Sequence, residues 1–595
     1  MNVPAPRLCR LAATVLAALC LTLAGGCVSV PDNGPVQTGP AADEEAQDNA
    51  PFFDPPAPPV GGSPVEMVEG FIDAMTANPL TTAVARKYLT DEASNRWVPE
   101  AQTVVYGSQT LAASGSSVTM QLGDTAELDG RGQWLGAPAG GDGFRYELSL
   151  VKELGEWRIS NPPDALIVSD TYFESRFDQY SLYFFDKSAQ ILVPEPVYLP
   201  AGEQTPTLLI RGLLQGPAQE MLGAERTFLP ASTQIDLSVP VSRDGVAEVP
   251  LSDEVLTLDG DELRMVSAQV VWTLRQVPGV QSVRITVDGS PVDIPGLGTE
   301  LAVSAWPEFD PKVQWASEEL FGIRDDRVVT LVGGEDRRIA GLFGTESLGL
   351  GKISSNLAAE KVAAVSDSGT TVTVAPRGRE PGEVPTAAAA EVIYTGENLL
   401  APAWDIYDQV WLIDNTGQGA VVAVARDGAA TEFSAPGLSG RTVKAFELSR
   451  DGTRLVAVVS GEDGDRLVVS RVMRRADGSV REVSQAETLP VGGFELTEIR
   501  DIAWRTPETV AILAGPSTGL SQVILARIDG SSALGDVASN PQIFRSEAVR
   551  VVTSPAQGAP LYVGTADGRL YELAANGRWT GTSIQQGLSS PTFVG

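Results

Sequence analysis

Ala445–Val459 reads AFELSRDGTRLVAVV, two apolar strand-like runs hinged on Asp451-Gly452. Apolar runs joined through Asp-Gly are a hairpin signal, because that pair tolerates the left-handed backbone of a tight turn. The same strand-and-turn pattern returns in KVAAVSDSGTTVTV from Lys361, APAWDIYDQVWLI from Ala401, DIAWRTPETVAIL from Asp501 and VVTSPAQGAPLYVG from Val551. With Ser366, Trp404, Ser449, Trp504 and Ser554 as markers, the intervals lie near the roughly 40 to 50 residues of a propeller blade. Further Asp-Gly pairs at Asp427, Asp477, Asp529 and Asp567 supply turns. From Trp315 onward there is little sign of helices. This predicts an all-β propeller over 315–595 with five or six blades, closed by strands from both ends. VVTLVGG and RIAGLFG (Val328 to Gly344) supply strands for the first or last blade.

Upstream, 169–300 mixes helices and strands. SLYFFD (Ser181 to Asp186) and LVPEPVYLP read as strands, and Pro206 to Leu214 as a helix stopped by Gly216-Pro217. QIDLSVPVSRDGVAEVPLS reads as a polar strand pair turned at Asp244-Gly245. A long helix follows, in which Leu263, Val266, Val270, Val271, Leu274 and Val277 form one stripe facing a sheet. VRITVDG (Val283 to Gly289) closes the unit. Before it, 64–165 opens on a helix with Val65, Val68, Phe71, Ile72 and Met75 at helical spacing. A second helix is predicted over Thr81 to Tyr88, then strands at Thr103 to Tyr106, Val118 to Leu122, Phe144 to Val151 and Trp157 to Ile159, broken by the loop GAPAGGDG. Helices followed by a curved antiparallel sheet suggest an α+β NTF2-like cone. Tyr106, Trp134, Tyr146 and Trp157 are expected to pack its core, the alternative being a pocket in its mouth.

The N-terminus has Arg7 and Arg10, an uncharged apolar stretch from Leu11 to Leu23, then Ala24-Gly25-Gly26-Cys27. That is the layout of a secretory signal over 1–26, and the stretch is shorter than the about 20 residues of a membrane-spanning helix. LAGGC resembles the lipobox of bacterial lipoproteins, with Ala24 where leucine is usual. The resemblance implies cleavage before Cys27 and a diacylated, often also N-acylated, cysteine that anchors the protein to the outer face of the cell membrane. Two or three acyl chains give stable attachment. The span 27–63, rich in Pro, Gly and acids, is expected to be a disordered tether, too poor in apolar area to fold. Cys9 and Cys20 lie within the signal, so no intramolecular disulfide is available to the mature chain.

The order LYFFD, LVPEPVYL, LLIRGLLQGP, DGVAEVPLS and QVVWTLRQVPGVQSVRITVDG resembles the GerMN domain of bacterial envelope and sporulation proteins. Lipobox, NTF2-like cone, GerMN domain and propeller together resemble the actinobacterial LpqB lipoprotein family. YLTDEASNRW, TYFESRFDQYSLYFFD, FELSRDGTRLVAVV and DIAWRTPE are the most specific stretches. The resemblance implies an accessory partner of the ectodomain of an MtrB-like sensor histidine kinase, in an MtrA/MtrB-type two-component system that controls cell-envelope and division genes.

The formal net charge is −33, from 76 Asp and Glu against 43 Lys and Arg, and the chain has no histidine. Such acidity disfavours nucleic acid and anionic lipid heads, which need clustered bases. The nearest cluster, Arg471, Arg474, Arg475 and Arg481 around Asp477-Gly478, reads as a solvated hairpin tip. Without histidine there is no Ser-His-Asp triad or Cys-His pair, nor a zinc site built on those residues, so no cofactor, metal or catalytic residue is expected. A carbohydrate-acting enzyme of the cell wall using Asp and Glu alone remains the alternative to a non-enzymatic lipoprotein. Its candidate pairs, Glu318 with Glu319, Asp325 with Asp326 and Asp463 with Asp465, read as surface acids. Asp259-Gly260-Asp261 and Asp463-Gly464-Asp465 lack the further ligands of a calcium loop. Trp404 and Tyr407 open a blade, Trp404 reading as core and Tyr407 open to partner contact or core.

Overall fold

A computed structural model describes residues 53–595 except 139–142, 333, 379–389, 492–495, 497, 516–519 and 532–541. Cys27, the signal, most of the tether and part of the GAPAGGDG loop lie outside the described residues. The tether's last residues, from Phe53, are not free: Phe53 bridges Asn78 and the Pro56 carbonyl accepts from Tyr88 Oη at 2.9 Å. Pro55 is buried there, so proline-rich chain docks where it meets apolar surface.

Ser63 and Glu66 form a capping box that starts helix α1 (Pro64–Asp73) with Pro64 in its first turn. α1 buries Met67, Val68, Phe71 and Ile72. They pack with residues of a sheet ordered β5 (Glu156–Ile159), β4 (Phe144–Glu153), β2 (Ser117–Asp129), β1 (Gln102–Ser114) and β6 (Leu166–Ser169), with β3 (Trp134–Gly136) on β2. β6 runs parallel to β1. Tyr106, Trp134, Tyr146 and Trp157 pack against this core. The helix expected over Thr81 to Tyr88 is only a 3-10 turn, Ala85–Tyr88. Thr81 Oγ1 takes the Ala83 N–H, the local side-chain bond by which threonine competes with helix formation. Helix α2 (Asp91–Arg96) follows, capped by Thr90.

Helix α3 (Asp170–Arg176) leads into the long hairpin β7 (Phe177–Asp186) and β8 (Leu192–Pro200). Helix α4 (Thr205–Leu214) and the strand β9 (Glu225–Arg226) come next, β9 pairing with β7. A second sheet holds β10 (Val246–Pro250) parallel to β11 (Ser282–Val287). Helix α5 (Gly260–Leu274) starts on an Asp259–Glu262 capping box and buries Val266, Val270, Val271 and Leu274 in the domain core. The strand pair expected before it is corrected: ahead of β10 only the single bridges Ile235↔Leu251 and Val241↔Ala247 form. Pro240 sits between them with no N–H to give a ladder, its carbonyl accepting from Glu248 N.

The remaining chain folds into six sheets in ring order. Five come from consecutive stretches, and each of the five repeat markers falls in a different one. In the sixth, Ser589–Thr592 pairs with Leu320–Arg324, so the first blade takes its axial strand from the C-terminal end. Asp427 and Gly428 both have positive φ, 50° and 81°, as a two-residue hairpin turn of matching twist requires. RIAGLFG is corrected from strand to loop: pairing ends with Glu335–Arg338, and Gly341 at φ 95° leads into a helical turn, Leu342–Thr345.

The β7–β8 hairpin touches both the first domain and the propeller. Tyr198 donates its N–H to the Gly132 carbonyl of the first domain, packs its ring on Trp134 and Phe173, and sets its hydroxyl 2.5 Å from Ser531 Oγ of the propeller.

Candidate functional site: the cleft between the second domain and the propeller

Between the second domain and the propeller lies a cleft of about 980 Å³. α5 ends at one wall, contributing Trp272, the residues just past its end add Arg275 and Gln276, and β7 adds Ser181 and Tyr183. The connecting segment supplies Asp310, Lys312 and Glu318, and the propeller Arg450, Arg505, Glu508 and Arg527. Arg275 stacks on Trp272 at 4.2 Å. Asp310 is spent locally, taking Lys312 N and Gln314 Nε2, both at 2.8 Å. Glu508 accepts from Ser181 Oγ at 2.5 Å, which ties the two walls together, and burial raises its pKa. Arg450 donates to the Lys312 carbonyl and, at 2.9 Å, to Ser554 Oγ. Burial lowers its pKa to about 10, so it stays charged at neutral pH.

A chain of buried charges holds the walls in register. Arg131 of the first domain pairs with Glu195 at 3.1 Å, and Glu195 also takes the Ala218 N–H. Glu225 lies beside Glu195, and Arg454 of the propeller reaches both Glu225 at 3.7 Å and the Pro194 carbonyl at 2.9 Å. Burial and the neighbouring carboxylate raise the Glu225 pKa well above the usual range, against the opposing pull of Arg454.

Arg450 also borders a second cavity of about 80 Å³ on the propeller axis, lined by Glu447, Asp501 and Arg550. Asp501 pairs with Arg550 at 3.3 Å and takes the Val551 N–H. Burial, reinforced by Asp501 and opposed by Arg550, raises the Glu447 pKa to about 8. A carboxyl with a raised folded pKa supports the fold fully below its unfolded pKa, near 4.5, and loses that support as pH rises to about 8. Glu447→Gln, neutral throughout, is therefore expected to stabilise the protein at pH 8 by a few kcal/mol, on the order of the shift, and to change little at pH 4. Calorimetric Tm values at the two pH values check this; an equal difference at both contradicts it.

Three family models match in chain order. Residues 57–174 match the one described as "Lipoprotein LpqB, N-terminal domain", 181–293 "Sporulation and spore germination", and 326–593 "Lipoprotein LpqB beta-propeller domain". The chain belongs to the LpqB lipoprotein family. "Lipoprotein LpqB" of Cutibacterium acnes is 28% identical over 614 residues, covering 98% of each chain. That of Thermobifida fusca is 26% identical over 618 residues, covering 94% of this chain and 95% of the relative. Among solved structures, the first GerMN domain of the sporulation protein GerM from Bacillus subtilis is 27% identical over 21% of this chain and 94% of its own, with a TM-score of 0.18.

In this LpqB-family chain the residues singled out from sequence take specific places. Trp404 is buried, as core, while Tyr407 joins two domains, its hydroxyl donating to Asp186 and lying 3.0 Å from Ser188 Oγ. The arginine cluster is not simply a solvated tip: Arg474 is buried against Asp405, because four acceptors surround it. Arg475 and Arg481 remain at the surface. Glu319 pairs with Arg377, Asp326 accepts the Gly349 and Leu350 N–H groups, and Asp465 pairs with Lys444. Asp259 is a helix cap. Arg450, Arg454, Arg505 and Glu508 were not singled out by residue type, yet all four fall in FELSRDGTRLVAVV or DIAWRTPE, two of the stretches most specific to the family.

Proposed function

We propose that this chain is a non-enzymatic lipoprotein, anchored through Cys27 on the extracytoplasmic face of the cell membrane, that serves as accessory partner of an MtrB-like sensor histidine kinase in cell-envelope and division control. The observation that carries the reading is the interlocking of all three domains around β7–β8. It favours a rigid surface presented to a partner over domains that open around a substrate. Membership in the LpqB family supports the anchor, and among the described residues no helix is long and apolar enough to cross a membrane. One acid of each pair that a glycan-cleaving alternative would draw on, Glu319, Asp326 and Asp465, is engaged in an ion pair or backbone bonds of the fold.

Crosslinking of the full-length lipoprotein in membranes, read by mass spectrometry, tests it. Links to a sensor-kinase ectodomain are expected; links only to glycan-handling enzymes, or none, sink the accessory role. Cys27→Ser is expected to be released or left unprocessed. A variant still processed and membrane-bound contradicts the anchor.

A further inference from the structure

The cleft reverses the character of the molecule. Acids outnumber bases 76 to 43 in the chain, but the cleft is bordered by Arg275, Lys312, Arg450, Arg505 and Arg527 against Asp310, Glu318 and Glu508. Two of those three carboxylates are already hydrogen-bonded, Asp310 within its own turn and Glu508 to Ser181. Arg275 and Lys312 make no ion pair among the described residues, and Arg275 is exposed. Arg450 is only 7% exposed, yet its Nε–H finds no acceptor among the described residues. A buried donor left unmade costs about 1–3 kcal/mol, so this arginine keeps hydrogen-bonding capacity that the fold does not use. Low-dielectric walls lined by cations concentrate field and attract anions. The volume, about 980 Å³, is at the upper end of the roughly 300–1,000 Å³ of small-molecule sites.

We propose that this cleft binds a small multivalent anion, carboxylate or phosphate, held by Arg450 and Arg505 of the propeller, Lys312 of the connecting segment and Arg275 of the second domain. The anion bridges both walls and so adds to the bonds that tie the second domain to the propeller. The proposal does not depend on which protein the lipoprotein contacts.

Calorimetric titration of the full chain in detergent at low salt tests it, with citrate as carboxylate probe, pyrophosphate as phosphate probe and trehalose as neutral control. Saturable binding of at least one anion is expected, and the stronger of the two identifies the chemistry. Arg275→Gln with Lys312→Gln is expected to weaken it about tenfold or more, as loss of two charge-assisted contacts implies. Lys444→Gln, which removes a cation that does not line the cleft, is expected to leave it unchanged. The proposal is overturned if neither anion saturates, if trehalose binds as tightly, if the double variant binds like the native chain, or if Lys444→Gln weakens binding equally.

Discussion

A chain cut after Gly587 is expected to lose its cooperative thermal transition and to become sensitive to protease across the propeller. The cut removes Ser589–Thr592, the axial strand of the first blade, with the buried side chains Leu588, Phe593 and Val594. Leu588 fills the space that Gly322 leaves, its Cδ1 2.5 Å from where a Cβ would stand. Burial of three such side chains is worth about 1.5–3 kcal/mol each. With the lost strand pairing, that approaches the roughly 5–15 kcal/mol total stability of a domain. Differential scanning calorimetry and limited proteolysis read the result; a Tm within a few degrees of the native chain would show that the ring does not depend on this strand.

Arg474→Ala should be the most damaging single substitution in the propeller, costing about 3–5 kcal/mol, the range for stripping the partner from a buried charge. Its Nη2 donates to Asp405 at 2.8 Å, Nη1 to the Gly478 carbonyl at 2.9 Å and Nε to the Gly452 carbonyl at 3.1 Å. Asp405 stays buried, holding the Trp411 indole N–H at 2.9 Å. The guanidinium also lies 4.5 Å from the Tyr407 ring, and Tyr407 is the propeller's bond to Asp186. The loss should therefore loosen the second domain as well as two blades. Arg474→Lys keeps the charge but not the fork and is expected to recover only part of the loss. Urea unfolding followed by tryptophan fluorescence measures both. A cost below about 1 kcal/mol for Arg474→Ala, the level of an exposed pair, would place this arginine at the surface after all.

The parts of this fold carried by local pattern were legible in the sequence. The stripe from Leu263 to Leu274 keeps one period, although the helix is buried on every side from Val266 onward, and the Asp-Gly pairs have a backbone conformation that few other residues accept. The α+β domains, the propeller and the family resemblance were read from such signals. Where a local signal was opposed by another, the reading failed: Thr81 bonding Ala83 removed a helix, and Pro240 removed a strand. The cleft was out of reach for a different reason. Arg275, Lys312, Arg450 and Arg505 are brought together by docking of domains, and nothing in the spacing of four bases says they share a cavity. Tyr198 stands in LVPEPVYLP as one more strand aromatic, and Arg474 in an arginine run that reads as solvated. Only the tertiary neighbours make one a three-domain contact and the other a buried ion.

The blade shared between the two ends of the propeller also bears on how fast, and into what, the chain folds. Arg324 bonds the Gln586 carbonyl across 262 residues of sequence, so closure has to wait until the two ends of the propeller meet and is the natural slow step. Until then Leu320–Arg324 presents an unpaired edge that accepts any matching strand. A terminal segment from a second molecule matches it as well as its own. Refolding at high concentration should therefore yield strand-exchanged pairs, and dilute refolding closed monomers, from one and the same sequence.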